Sequence, residues 1–191
     1  EIAVAAAEAS KHFWIEKPVG RDAKDAGDVA AAAAKTDVVT SIGYNYRHVP
    51  AVERVRELVA GGQLGRITNV RAVFFSGYAA EPKAALSWRF IREHAGSGAL
   101  GDLLSHVVDL VQYIVGRIGD VNAVTSTVYT ERPILPMGSG THFAVIEDGE
   151  MGTVENDDYA AVLARFAAKS GAAGAVGTLE ASRIIVGPQC G

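Results

Sequence analysis

Apolar positions in the first third of this 191-residue chain alternate between long helical stretches and short strand-like runs. The Ala-rich opening, Ile2-Ala-Val-Ala-Ala-Ala-Glu-Ala-Ser10, predicts a helix, and His12-Phe-Trp-Ile15 predicts a short buried strand. Asp22 to Lys35 reads as a second helix and Val38-Val-Thr-Ser-Ile42 as a second strand. Strand, crossover helix and strand of this size make a βαβ unit with parallel strands and a right-handed connection. Parallel strands bring their carboxyl ends to one rim, where open α/β sheets bind ligands. The segments leaving that rim, Glu16-Lys-Pro-Val-Gly20 and Gly43-Tyr-Asn-Tyr-Arg47, are polar and each carries a cation. A third helix starts with Pro50 in its first turn, is expected to bury Val52, Val55, Leu58 and Val59, and stops at Gly61-Gly62.

The pattern then changes. Gly65 to Ser76 is a long, loosely alternating strand, and similar runs follow at Val121 to Thr130, Tyr159 to Phe166 and Val176 to Ile185. Such runs predict a mostly antiparallel sheet with helices on one face. The fold class is therefore α/β followed by α+β. Residues 1–47 form the end of a nucleotide-binding-type α/β domain, and 48–191 form an α+β domain. Glu131 to Glu150, rich in Pro, Gly and polar residues, reads as a loop or irregular hairpin without evident chemistry.

One helix stands apart. Gly98 to Gly116 is apolar at Leu103, Leu104, Val107, Val108, Leu110, Val111 and Ile114, yet carries Asp102, His106, Asp109 and Tyr113 at offsets that helical spacing places on one face. A helix so apolar is buried, and a buried carboxylate needs a partner. An Asp one turn from a His is a proton-handling pair, because the carboxylate sets the imidazole tautomer and raises its basicity. Two plainer roles remain open: Asp102 as a helix cap after Gly101, and His106 as a hydrogen-bonded core histidine. Asp109 fits a structural role, pairing with an arginine or capping a loop, and Tyr113 a core position with a hydrogen-bonded hydroxyl.

Composition excludes several classes. Formal net charge is only −4 and there is no basic run, which argues against nucleic acid or an anionic membrane as partner. The single Cys190 rules out an internal disulfide framework or a cysteine-rich zinc site and is compatible with a reducing cytoplasm. No apolar run approaches the roughly 20 residues of a membrane span, and no signal peptide is recognisable. The expectation is a soluble cytoplasmic protein. Because Glu1 falls directly inside a helix-like run and Gly187-Pro-Gln-Cys-Gly191 closes on no evident element, the chain reads as part of a longer polypeptide.

Glu16-Lys17-Pro18 after one short strand, Gly43-Tyr-Asn-Tyr-Arg47 after the next, and then Gly98-x-Leu-Gly-Asp102-x-x-x-His106-x-x-Asp109 together resemble the landmarks of the glucose-fructose oxidoreductase and inositol dehydrogenase family (Gfo/Idh/MocA). The resemblance covers nearly the whole chain. It implies an NAD(P)-dependent oxidoreductase with a Rossmann domain, of which residues 1–47 would be the C-terminal portion, and an α+β substrate domain whose sheet serves in homo-oligomerisation. Sugars, cyclitols and related polyols are the implied substrates, with NAD or NADP as cofactor. The family's strand, Gly-x-Gly-x-x-Gly turn and helix are not present in these residues.

Oxidising a secondary alcohol requires loss of its hydroxyl proton as hydride leaves the same carbon, so the site needs a base and a cation near the oxygen. The resemblance gives Lys17, Asp102 and His106 as the catalytic set. His106 would be the base, Lys17 the cation favouring the alkoxide, and Asp102 the residue that orients His106 or grips a neighbouring hydroxyl. Glu16, Lys17, Pro18, Asn45, Arg47, Trp88 and Arg89 are the implied cofactor contacts, and Lys17-Pro18 is a candidate cis peptide. A solvated loop lysine at Lys17, turn roles for Asn45 and Arg47, and a hydrophobic anchor with a surface arginine at Trp88-Arg-Phe90 are the plainer readings. His12, His48, His94 and His142 show no partner spacing. Two rivals stay open: a metal site on Asp102, His106 and Asp109, and a non-catalytic sugar-binding or scaffolding protein of the same fold.

Overall fold

The computed structural model describes residues 1–135, 144–168 and 171–187, so His142, Cys190 and part of the Glu131 to Glu150 segment lie outside the described residues. The chain divides into two compact units, Glu1–Asn45 and Tyr46–Gly191.

The first unit runs α1 (Ile2–Glu8), β1 (Phe13–Ile15), α2 (Ala23–Ala33) and β2 (Thr40–Ile42). β1 and β2 pair in parallel, Phe13 opposite Thr40 and Ile15 opposite Ile42, with α2 as the crossover. α2 starts where the Asp22 side chain accepts the Asp25 N–H at 2.8 Å, satisfying one of the amides a helix start leaves open. Arg21–Asp25 and Lys24–Asp28 ion pairs decorate its exposed side. The expected buried strand is corrected: Trp14 is 62% exposed, and all of β2 is exposed. Two strands of three residues, with α1 packed on β1, are too narrow to cover both of their faces within this unit.

In the second unit, α3 (Pro50–Ala60) begins with Pro in its first turn and ends at Gly61, as the pattern predicts. Its apolar stripe is less buried than expected: Val52, Leu58 and Val59 are half-buried and Val55 is exposed. Then follow β3 (Asn69–Phe75), the four-residue α4 (Arg92–Ala95), a π-helical turn at Leu100–Leu104, α5 (Ser105–Ile114), β4 (Ile118–Ser126), β5 (Glu131–Pro133), β6 (Met151–Thr153), β7 (Tyr159–Phe166) and β8 (Val176–Ser182). Among the described residues α3 packs on α5.

The main sheet has the order β3-β8-β7-β4. β8–β7 and β7–β4 are antiparallel and β3–β8 is parallel, so the sheet is mostly antiparallel, as expected, with one parallel edge pair. β3 is shorter than the predicted strand because Gly65 turns at φ 67° before it. β4 begins earlier than predicted, with an irregularity between Ile118 and Asp120 that passes through Gly119. β5 and β6 close a short antiparallel ribbon at the ends of the segment read as an irregular hairpin.

Strand alternation gives the sheet two different faces. Ala160, Val162, Ala164 and Phe166 on β7 join Leu179 and Ala181 on β8 against Leu103, Leu104, Val107 and Val111, forming the core. Burying a side chain of Leu or Val size contributes about 1.5–3 kcal/mol, so this one cluster dominates the unit's stability. The opposite face carries Leu163, 62% exposed, and Val124, 63% exposed, in register with Ala161.

Candidate active site

In the first unit, the ladder runs one step past β1, with Gly43 N–H donating to the Ile15 carbonyl at 2.9 Å. Glu16, Lys17 and Pro18 follow at the carboxyl end of β1, and the Lys17-Pro18 bond is cis, as proposed from the sequence. Lys17 is half-buried, Glu16 and Pro18 exposed. A Cβ on Gly43 would lie 2.8 Å from Glu16 Oε2 and 3.0 Å from the Trp14 ring, so a side chain there would displace the exposed Glu16 carboxylate. The Glu16 carboxylate thus occupies the space over Gly43. Asn45, at the end of this unit, is exposed. Lysine ammonium and asparagine amide at the rim of a parallel pair are a donor set that suits an anionic, polyhydroxylated dinucleotide.

The second unit holds the other predicted residues. The single helix expected from Gly98 to Gly116 is instead the π-helical turn followed by α5. Asp102 lies within the π turn, where the 3.6-residue spacing assumed for the stripe does not hold. His106, Asp109 and Tyr113 keep helical spacing on α5 and meet the Tyr46–Arg47 segment. The His106 ring, 7% exposed, lies 4.8 Å from the Tyr46 ring centroid and 5.8 Å from that of Phe74. Asp109 is gripped by both Arg47 Nε, at 2.9 Å, and Arg47 Nη2. The Tyr113 ring takes the Arg47 guanidinium at 5.0 Å and that of Arg56 at 4.3 Å, and its hydroxyl accepts from Arg56 Nη1 at 3.3 Å. The arginine pairing foreseen for Asp109 and the bonded hydroxyl foreseen for Tyr113 are present, but Tyr113 is half-buried rather than a core residue.

Asp102 has a partner that sequence reasoning missed. The Tyr78 hydroxyl donates to Asp102 Oδ2 at 3.1 Å, from a short 3-10 turn just beyond β3. Burial, then the nearby Asp102 carboxylate, push the Tyr78 hydroxyl well above the ordinary tyrosine range. It therefore stays protonated and remains a donor. The only sequence signal was a Tyr placed three residues beyond the apolar Ala72-Val-Phe-Phe75 run. Tyr46, against His106, was likewise visible only as a member of the Gly43-Tyr-Asn-Tyr-Arg47 motif.

Trp88 and Arg89 sit on a 3-10 turn, Trp88 53% exposed with the Arg89 guanidinium 4.5 Å over its ring. Phe90 anchors that turn in a buried polar knot. The Arg89 carbonyl accepts from Asn156 Nδ2 at 2.9 Å, and Arg183 lies 4.4 Å over the Phe90 ring. Arg183 Nε donates to Asp158 Oδ1 at 2.7 Å, with both residues fully buried. The other oxygen of Asp158 accepts the amides of Val128 and Tyr129. Arg132, also fully buried, donates to the carbonyls of Ala79, Glu81 and Ala84, and burial lowers its pKa.

Asp157 holds the entry to the helix that carries His106. Its carboxylate accepts the amides of Gly98 at 2.8 Å and Leu100 at 2.7 Å, and its carbonyl accepts that of Ala99. Such an anion at a helix start satisfies donors that have no partner within the helix. The metal alternative gains no support: among the described residues, no group of three or more His, Cys, Asp or Glu could hold an ion. Among those residues, no helix is long and apolar enough to cross a membrane.

A parallel β-α-β unit followed by an α+β unit is a fold that this chain shares with solved dehydrogenases. Residues 52–190 match the GFO/IDH/MocA C-terminal domain, and the chain belongs to that family. It is 40% identical to levoglucosan dehydrogenase of Pseudarthrobacter phenanthrenivorans over 96% of this chain and 46% of that protein. Among solved structures, levoglucosan dehydrogenase in complex with NADH and L-sorbose superposes with a TM-score of 0.87 at 39% identity, over 97% of this chain and 46% of that one. An oxidoreductase domain protein from Kribbella flavida gives a TM-score of 0.85 at 41% identity, over 98% of this chain and 48% of that one. The chain thus spans less than half the length of the curated relatives it matches.

Proposed function

We propose that this chain is the catalytic portion of an NAD(P)-dependent oxidoreductase that moves hydride between a nicotinamide and a secondary alcohol of a sugar, cyclitol or related polyol. The observation that carries the reading is the His106 imidazole, seated against Tyr46 at the start of α5 with Asp102 in the π turn that leads into it, in a chain similar along its length to a sugar dehydrogenase solved with NADH. A bound nicotinamide supplies the hydride acceptor. His106 takes the hydroxyl proton of the substrate, Lys17 favours the developing alkoxide, and Asp102 orients His106 or grips the neighbouring hydroxyl. Glu16, Pro18, Asn45, Arg47, Trp88 and Arg89 are the proposed cofactor contacts, with Arg47 also committed to Asp109. Such chemistry fits a cytoplasmic protein. The exposed face of the main sheet, with Leu163 and Val124, is the proposed homo-oligomer contact.

The test uses the complete polypeptide. NADH and NADPH are titrated by nicotinamide fluorescence, and levoglucosan, myo-inositol and L-sorbose are screened for turnover. Binding of one cofactor, turnover of a polyol, and a loss of roughly 100- to 10,000-fold in kcat for Lys17→Ala and His106→Ala are expected. Full turnover in the His106→Ala protein would remove the assignment, and cofactor-free behaviour of the wild type would leave a sugar-binding protein.

A further inference from the structure

We propose that Tyr78 is a positioning residue for Asp102: its hydroxyl holds the carboxylate in its ionised form and in one orientation beside the catalytic histidine. The inference rests on the dehydrogenase reading for what Asp102 does, but the contact itself is independent of it.

Tyr78 arrives at Asp102 from a separate element. It lies in the 3-10 turn Gly77–Ala79, 24 residues before its partner, and packs against both hydrophobic clusters of the second unit. That turn is fixed on both sides: the Ser76 amide donates to the Ser182 carbonyl and the Ala79 amide to the Arg183 carbonyl, each at 2.8 Å. The Ala79 carbonyl in turn accepts from Arg132. A phenol carried on so constrained a backbone has little freedom, so its hydroxyl marks one point in space. Asp102 is held from its own side by the Asp157 grip on Gly98 and Leu100. Two rigid supports therefore meet at a single hydrogen bond of 3.1 Å.

That bond acts on chemistry as well as on geometry. A donor aimed at a carboxylate favours the ionised form, and this phenol remains a donor because burial and the carboxylate both hold its proton. His106 follows Asp102 along the chain, and Arg183 and Arg89 act on Tyr78 from the knot beneath it. Asp157 meets the backbone of the turn. The strands packed against the π turn contribute Phe74, Ala160, Val162 and Leu179 to the core cluster that holds Leu103 and Leu104. Removing the Tyr78 hydroxyl should therefore raise the protonation midpoint of Asp102 by roughly one pH unit, the size of a hydrogen bond to a charged group.

Tyr78→Phe is the test, because it deletes one oxygen and keeps the ring. In the complete polypeptide with its cofactor and a turned-over polyol, the acidic limb of the kcat/KM profile should move up by about one pH unit, with kcat falling roughly 10-fold and KM changing little. Tyr78→Ala, which removes the packing too, should lower thermal stability much more than Tyr78→Phe. An active Tyr78→Phe enzyme with the wild-type profile and kcat overturns the proposal. A second readout does not need turnover: 13C-labelled aspartate carboxyl resonances, with Asp102→Asn to assign the signal, should show the Asp102 midpoint raised in Tyr78→Phe. An unmoved midpoint overturns the proposal, whereas a moved midpoint in a protein that oxidises no polyol keeps the Tyr78–Asp102 coupling and removes the dehydrogenase reading instead.

Discussion

The Arg47 guanidinium lies across the Asp109 carboxylate, using Nε and Nη2 on its two oxygens, and so ties the segment carrying Tyr46 to the helix carrying His106. Planar two-point recognition of this kind fixes orientation as well as distance. Asp109 is almost fully buried, whereas the Arg47 side chain is partly exposed. The two partners should therefore respond unequally to removal. Arg47→Ala strands a buried carboxylate and is expected to cost about 2–3 kcal/mol, Asp109→Asn about 1–2 kcal/mol, and the double variant less than their sum. Urea unfolding of the four proteins measures the coupling, and additive losses would deny it. Cofactor titration separates a second role: if Arg47 also touches the dinucleotide, Arg47→Lys weakens NADH binding while Asp109→Asn leaves it nearly unchanged.

The His106–Asp109–Tyr113 stripe was legible in sequence because its residues share one α-helix, where spacing alone decides which side chains lie together. Asp102 was legible as chemistry but not as geometry, since nothing in Leu100-Gly-Asp-Leu-Leu104 announces a π turn. The strands β7 and β8 were visible through alternation against a core, and Tyr159 to Phe166 matches its predicted limits. Burial in the first unit was not, because it depends on what covers a short strand rather than on the strand itself. The knot of Asp158, Arg183 and Arg132 was invisible, since charged residues far apart in sequence read as surface until the fold joins them.

That knot predicts a large stability effect. Asp158→Asn would leave the Arg183 guanidinium buried without its anion and weaken the acceptor of the Val128 and Tyr129 amides. Losing one partner of a fully buried pair costs roughly 3–5 kcal/mol. The variant is expected to unfold at much lower denaturant than wild type. A loss below about 1 kcal/mol would mean that the pair is not closed in solution.

Two glycines should respond in opposite directions to alanine. A Cβ on Gly98 would fall 1.8 Å from the Asp157 carbonyl oxygen, so the helix entry must move away from the segment before β7 that holds it. Gly98→Ala should cost about 3 kcal/mol and lower activity with it. Gly27, in the interior of α2, has nothing within 4 Å of the same position. Gly27→Ala should stabilise by about 0.5–1 kcal/mol, through helix propensity alone. Thermal melts of both variants read the contrast, and equal effects would contradict the close approach at Gly98.

Stability should decline on the alkaline side. Burial first, then the Asp102 carboxylate, raise the pKa of Tyr78, and burial with a hydrogen bond to Glu180 at 2.9 Å raises that of Tyr159. A tyrosine in the unfolded chain titrates near pH 10, before its folded counterpart. The unfolded state thus releases protons first, and the stability held by the neutral phenols is whole below about pH 10 and lost as pH rises beyond it. Melting temperature should fall between about pH 10 and 11.5, less steeply in Tyr78→Phe. Identical slopes for the two proteins would show that Tyr78 is not the group responsible.

The outer face of the main sheet gives the test of self-association. Leu163 sits on β7, an interior strand, between Asn122 of β4 and Thr178 of β8, and Val124 lies beside Ala161 on the same face. Interior strands bury apolar side chains when both faces are covered, so an exposed leucine at this position points to a covering surface. A second copy presents the same residues about a two-fold axis and would bring Leu163 toward its own counterpart. Replacing Leu163 by Arg should then leave the core of Val162 and Ala164 intact while placing like charges together. Sedimentation of the complete polypeptide should show an oligomer for wild type and Val162→Ala, and a smaller species with an unchanged circular dichroism spectrum for Leu163→Arg. A wild type that sediments as a monomer at micromolar concentration would mean that something other than a second copy covers this face.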